Sequence, residues 1–300
     1  MAVLTSAAQK PRRRRRTTLI GWSFILPNFI GFAALTLVPV VAALALSFME
    51  WDSYSSPEWV GLANFERMWN NANFWVALQN TCLYALGHIP LTLVAALGFA
   101  MLLNRPLRGV GLFRTALFFP YVTSLVAVAV VWNMLFSPDL GPINQFLRGI
   151  GIDNPPGWTT SSDWSLFAVI LTSVWRDMGY YMVLYLAGLQ TIPPELYEAA
   201  KVDGAGPWAR FRNITLPSLR PTTFFVVIML TISSFKVFDL VQVMTEGGPG
   251  RSTLVLSQLI FREGITQGRF GYSSAISMVL FLIVLLVTLI QFRIQQRSER

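Results

Sequence analysis

TTLIGWSFILPNFIGFAALTLVPVVAALALSFM, residues 17 to 49, contains no charged side chain. A bilayer's hydrocarbon core is crossed by about 20 apolar residues in a helix. This run is long enough to span it, and its reading decides the fold. Arg12 to Arg16 precede it and Ala43-Leu44-Ala45 lies near its end, which imitates a secretory signal. A signal's apolar region runs to only about 7–15 residues, so a retained signal-anchor is expected.

Working outward, the same pattern recurs. Met68 to Asn104, Thr115 to Pro138 and Phe270 to Phe292 carry no charge if His88 is neutral. Two further apolar segments are interrupted: Trp164 to Leu189 by Arg176-Asp177, and Thr222 to Met244 by Lys236 and Asp239. The reading is an all-α polytopic membrane protein with six transmembrane helices, at about 22–48, 81–103, 113–136, 165–188, 222–244 and 272–293. The whole chain is 13% charged, against about 25% in a soluble domain, and 54% hydrophobic, which excludes disorder.

Charge sorting tests this. If both ends are cytoplasmic, the inside segments hold 16 of the 23 basic residues and the outside loops five. Acidic residues run the other way, nine outside and four inside. That is the positive-inside bias. It accounts for the net charge of +8 without nucleic acid. Trp22, Trp51, Trp59, Trp158 and Trp164 lie near span ends, where indoles favour the interface. Residues 1–21 read as a basic cytoplasmic tail, 22–293 as the transmembrane domain and 294–300 as a second cytoplasmic tail.

Much chemistry is excluded by counting. One cysteine, Cys82, allows no intrachain disulfide and no cysteine-based metal cluster. One histidine, His88, allows no multi-histidine metal site. None of Lys10, Lys201 and Lys236 follows a glycine, so no phosphate-binding G-x-x-x-x-G-K-[ST] loop exists. There is no H-E-x-x-H or G-x-S-x-G, which argues against an integral-membrane enzyme.

One inside segment, 191–221, is not a plain connector. Pro193-Pro194 suits a helix start, with Glu195 near the positive end of the dipole. Leu196, Ala199 and Ala200 fall on one stripe. Asp203-Gly204 breaks the helix, and Pro207 opens a second on which Trp208, Phe211 and Ile214 recur at three-residue spacing. Such an element either docks into a partner's groove or lies on lipid, and physics alone leaves both open.

Glu198-Ala199-Ala200, Asp203-Gly204-Ala205, Leu216-Pro217 and Pro221 resemble the EAA loop of binding-protein-dependent ABC importers, in the cytoplasmic loop before the penultimate span. Gly61-Leu62-Ala63-Asn64-Phe65, Phe119-Pro120-Tyr121 and Gly247-Gly248-Pro249 extend the resemblance to the MalF-like or UgpA-like permeases of the carbohydrate-uptake class. The resemblance implies the MetI-like permease fold and a sugar or oligosaccharide cargo. It also implies that ATPase coupling lies with Glu198, Ala199, Ala200, Asp203, Gly204 and Ala205. The implied partners are a second permease (MalG-like or UgpE-like), a homodimeric ATPase (MalK-like or UgpC-like) and an extracellular or periplasmic solute-binding protein. ATP and magnesium would be bound by the ATPase, with no cofactor in this chain. The expected location is the inner or plasma membrane of a bacterium or archaeon, multi-pass, surrounded by lipid.

An ionisable residue inside a span is a functional candidate, because it must face a bundle interior or a wet cavity. Arg176, Asp177, Lys236 and Asp239 qualify, and the resemblance adds Tyr121 and Ser234 to the solute pathway. Lys236 and Asp239, at i and i+3, either pair on one helix face or contact solute. Arg176 keeps a glycerol-phosphate ester open as an alternative cargo; amino acids or peptides are a further one. His88, beside Pro90, is either a proton relay or a polar side chain at a helix interface. Cys82 reads as an inert small residue, and Tyr180-Tyr181 as packing.

Overall fold

A computed structural model describes residues 11–105 and 108–298, with side chains from 22 to 105 and from 108 to 297. Residues 1–10 of the expected N-terminal tail and 299–300 of the C-terminal tail lie outside the described residues.

The described residues are mostly helical, with one two-residue antiparallel ribbon among them. Helix α1 (Pro11–Phe32) runs through a π-helical turn, Ala33–Leu37, into α2 (Val38–Leu46). The ribbon pairs β1 (Met49–Glu50) with β2 (Glu58–Trp59). Then come α3 (Ala63–Trp69) and α4 (Ala72–Leu103). The Asn64 amide donates to the carbonyls of Ser47 and Met49, at 3.1 and 2.8 Å, and so fixes the end of α2 against α3. Helix α4 starts nine residues before the expected 81, because the Asn71 side chain caps it by accepting from the Asn73 N–H at 2.9 Å.

The expected third span is two helices, α5 (Val110–Val122) and α6 (Leu125–Leu135), bent by 101°. Pro120 removes a backbone donor from the last turn of α5, and Thr123 and Ser124 are extended. After α7 (Pro142–Gly149), helix α8 (Ser165–Gln190) runs about 39 Å at 1.5 Å per residue. Its charged pair is accommodated because α8 is central: α4, α5 and α12 all pack on it. Gly179 permits the closest approach, since a Cβ there would overlap the Leu117 carbonyl oxygen of α5.

The cytoplasmic-loop candidate forms α9 (Pro194–Val202), α10 (Pro207–Arg210), a π-helical turn over Phe211–Thr215, and α11 (Leu216–Ser218). The single helix expected through Ile214 is thus interrupted. The expected fifth span also stops early: α12 (Arg220–Phe235) ends before Lys236, and α13 (Asp239–Met244) starts afresh. The segment containing Gly247-Gly248-Pro249 leads to α14 (Leu256–Phe261) and is pinned to α4 by the Asn80 amide, which donates to the Arg251 and Leu254 carbonyls. Helix α15 (Phe270–Ser298) closes the chain.

Among the described residues, Trp22–Leu46, Ala72–Leu103 and Phe270–Arg297 are long and apolar enough to cross a membrane, and the number reaches five if each of two bent pairs is one span. Helix α8, 26 residues long, is comparable in length but carries Arg176 and Asp177. Three apolar clusters hold the bundle, one centred on Tyr185, Met182, Leu219 and Leu230 where α8 meets α4 and α12.

Candidate functional site

Helix α8 carries Arg176 and Asp177 into the middle of the bundle, where α4 and α5 meet them. The Asp177 carboxylate takes a hydrogen bond from Arg176 Nη1 at 2.7 Å through Oδ1. Its Oδ2 lies 3.2 Å from His88 Nε2 of α4, off the line of a well-aligned hydrogen bond. The other nitrogen of that ring, Nδ1, is 2.9 Å from Ser234 Oγ, one residue before the end of α12. Arg176 donates from Nη2 to the Tyr121 carbonyl at 3.4 Å, and its guanidinium lies 5.0 Å over the Tyr121 ring. Tyr180 stacks on Tyr121 at 4.4 Å. A guanidinium over an aromatic face is attractive, and more so when water is excluded.

His88, Arg176 and Asp177 border a cavity of ≈170 Å³ walled also by Tyr84, Ser233, Phe238, Lys236 and Asp239. The Tyr84 hydroxyl donates to Ser173 Oγ at 2.8 Å, and its ring stacks on His88 at 5.3 Å. Two cationic and two carboxylate side chains line the cavity together with hydroxyls and aromatic rings. Hydroxyls and carboxylates exchange hydrogen bonds with a polyol's edges, and aromatic rings cover its apolar faces.

Tyr121, Arg176, Asp177 and Ser234 therefore converge in one connected cluster. Lys236 and Asp239 share the cavity but not a helix, and among the described residues no ion pair joins them. The i, i+3 pairing needs an unbroken helix, and the chain breaks between α12 and α13. Three further residues of the cluster, His88, Tyr84 and Tyr180, were not singled out as pathway residues from the sequence. The spacing of Tyr84 and His88, four apart on one face of α4, was the available signal.

The second candidate element is the α9–α10 turn. Pro194 opens α9, Glu195 sits in its first turn and Lys201 in its last, as the helix dipole favours. Its C-terminus is closed by the Ala205 N–H donating to the Ala200 carbonyl at 2.8 Å and the Gly204 N–H to the Lys201 carbonyl at 3.1 Å. This closure needs Gly204 at φ +78°. The Tyr197 hydroxyl, 3.0 Å from Thr215 Oγ1, ties α9 to the following turn, and buried Ile192 and Leu219 anchor both ends of the element. Glu198, Ala199, Asp203 and Gly204 are exposed; Ala200 and Ala205 are half-buried. Beside them Val202 is 88% and Trp208 70% exposed. The turn is closed by its own hydrogen bonds, mixed in polarity and exposed.

Residues 88–300 match the family described as the binding-protein-dependent transport system inner membrane component. The chain is 40% identical to a probable ABC transporter permease protein, YesP of Bacillus subtilis, over 96% of this chain and 94% of that one. It is 39% identical to the lactose transport system permease protein LacF of Rhizobium radiobacter, over 91% and 92%. Among solved structures, a bacterial alginate ABC transporter in complex with an alginate-pentasaccharide-bound periplasmic protein contains a chain that superposes with a TM-score of 0.84. Its identity is 23%, covering 97% of this chain and 98% of that one, so this likeness speaks to fold.

Proposed function

Since the chain belongs to the family of binding-protein-dependent transport system inner membrane components, we propose that it forms half of the pathway by which an ATP-driven importer takes up a sugar or oligosaccharide. The observation that carries this is the 39% identity to the lactose permease over 91% of the chain. In this reading a solute-binding protein delivers sugar at the outer face, and a second permease completes the pathway. Two ATPase subunits bind ATP and magnesium, and ATP drives their closure. Both termini are cytoplasmic, in keeping with the charge sorting.

Glu198 to Ala205 couple the ATPases to the bundle. ATPase closure pushes α9, and Ile192 and Leu219 pass that displacement to α8 and α12, between which the cavity lies. A bundle with two packings, biased by nucleotide and by loaded binding protein, alternates its access. Solute hydroxyls exchange hydrogen bonds with Asp177 and Arg176, beside Tyr121, Ser234, Lys236 and Asp239. The phosphate-ester alternative is less favoured, because the Arg176 guanidinium is already engaged by Asp177.

The test is assembly. Co-expressed with a second permease and ATPase from its own gene neighbourhood, the chain is expected to purify in a complex whose ATPase rate rises on adding sugar-loaded binding protein. A chain that purifies alone, or a rate indifferent to binding protein, overturns the reading.

A further inference from the structure

His88 is 1% exposed, in the wall of the cavity, and it is the side chain through which α4 meets both α8 and α12 in the polar cluster. Burial keeps it from the solute. Its two nitrogens face different partners: Nδ1 meets a hydroxyl on α12, and Nε2 meets a carboxylate on α8. The tautomer with its proton on Nε2 accepts at Nδ1 from the Ser234 hydroxyl and turns its N–H toward Asp177. That proton faces one carboxylate oxygen, and the other is held by Arg176. Arg176 in turn lies over Tyr121, which is stacked on Tyr180. A chain of contacts thus runs from buried His88 to the half-exposed groups at the pathway.

We propose that His88 is a positioning residue for translocation: through Nε2 it sets the rotamer of Asp177, and thereby holds Arg176 over Tyr121 at the pathway wall. This rests on the importer reading, because it assigns the positioned groups to solute. The Ser234 contact holds the ring plane, as an outer partner does for a ligating histidine. Without His88, Oδ2 of Asp177 loses the ring nitrogen that lies 3.2 Å away, and the carboxylate is free to turn.

The test separates the two nitrogens. A glutamine amide reaches the position of Nε2 and an asparagine amide that of Nδ1, so His88→Gln keeps a donor for Asp177 and His88→Asn keeps only a partner for Ser234. The complex is reconstituted in proteoliposomes with its binding protein and assayed with radiolabelled glucose, lactose and maltose for sugar taken up per ATP hydrolysed. His88→Leu is expected to lower that ratio about ten-fold, the scale of one lost polar contact to a charged group. His88→Gln is expected to restore most of it, and His88→Asn to behave like His88→Leu. A normal ratio in His88→Leu, or equal rescue by asparagine, overturns the proposal.

A readout independent of sugar accompanies it, the melting temperature of the purified complex in a double-mutant cycle of His88→Leu with Arg176→Gln. Coupling through Asp177 predicts that the two shifts are not additive; additive shifts overturn the proposal. If the wild-type complex takes up none of the three sugars, the sugar reading falls, and the cycle still decides whether His88 acts on Arg176.

Discussion

At the scale of single residues, contact geometry sets what can change. Gly179 lies where α5 crosses α8, and an added methyl meets backbone, which cannot turn aside. Gly179→Ala is expected to destabilise the bundle by about 1–3 kcal/mol or more, read as a lower melting temperature of the purified protein. Asp52 shows a different control. The N–H groups of Ser55 and Tyr54 and the Ser55 hydroxyl donate to its carboxylate and hold its pKa down at about 2. A depressed carboxylate contributes order above its unfolded pKa and loses it as pH falls through the folded one. Protection of the Ser55 amide, taken relative to its intrinsic exchange rate, is therefore expected to hold at pH 5 and to be lost only between about pH 4 and 2. Faster exchange already at pH 5 would contradict the hydrogen bonding described.

At the scale of elements, the sequence was informative where a local rule operates and silent where a tertiary contact decides. Pro194, Gly204 and Pro207 placed the α9–α10 turn because each obeys backbone sterics of its own. The break between α12 and α13 carries neither proline nor glycine, so Thr222 to Met244 reads as one span. That break separates Lys236 from Asp239. The 101° bend after α5 had a visible cause in Pro120, but proline in a membrane helix is compatible with a modest kink as well. His88 was ambiguous because its meaning depends on Asp177 and Ser234, residues 89 and 146 positions away on other helices.

The α9–α10 turn also carries a prediction. Val202 and Trp208 flank Gly204 and are exposed, as anchors for a partner's groove would be. Replacing Val202 with Ser and Trp208 with Ala together is expected to cost about 2 kcal/mol or more of ATPase affinity, seen as loss of ATPase on purification. The bundle's own melting temperature should hold, since neither side chain is buried. Unchanged ATPase recovery would place the docking surface elsewhere. Gly204→Val acts differently: open space surrounds the position, so its effect comes from the φ of +78° alone and deforms the turn without a clash.

At the scale of the molecule, an exposed apolar surface surrounds a largely apolar core that encloses one charged cluster. Helices α1 and α2 are exposed along Trp22–Leu46, whereas α8 hides its charged pair among α4, α5 and α12. The orientation is open to a direct check. Cys82 is the chain's single cysteine, so Cys82→Ser provides a background for cysteines placed one at a time. Cysteine at Ser161 is expected to react with an impermeant maleimide from outside, and cysteine at Ser218 only after the membrane is opened. The reverse pattern would invert the topology and remove the α9–α10 turn from the ATPase side.

The central claim, that this chain conducts sugar on behalf of an ATPase, is tested most directly by uptake. The complex is reconstituted in proteoliposomes with ATP on the side of the α9–α10 turn and with binding protein and radiolabelled lactose on the other. The account predicts accumulation against a gradient that requires both ATP and binding protein and is lost on Gly204→Val. Accumulation that persists without ATP, or in the Gly204→Val complex, would contradict it.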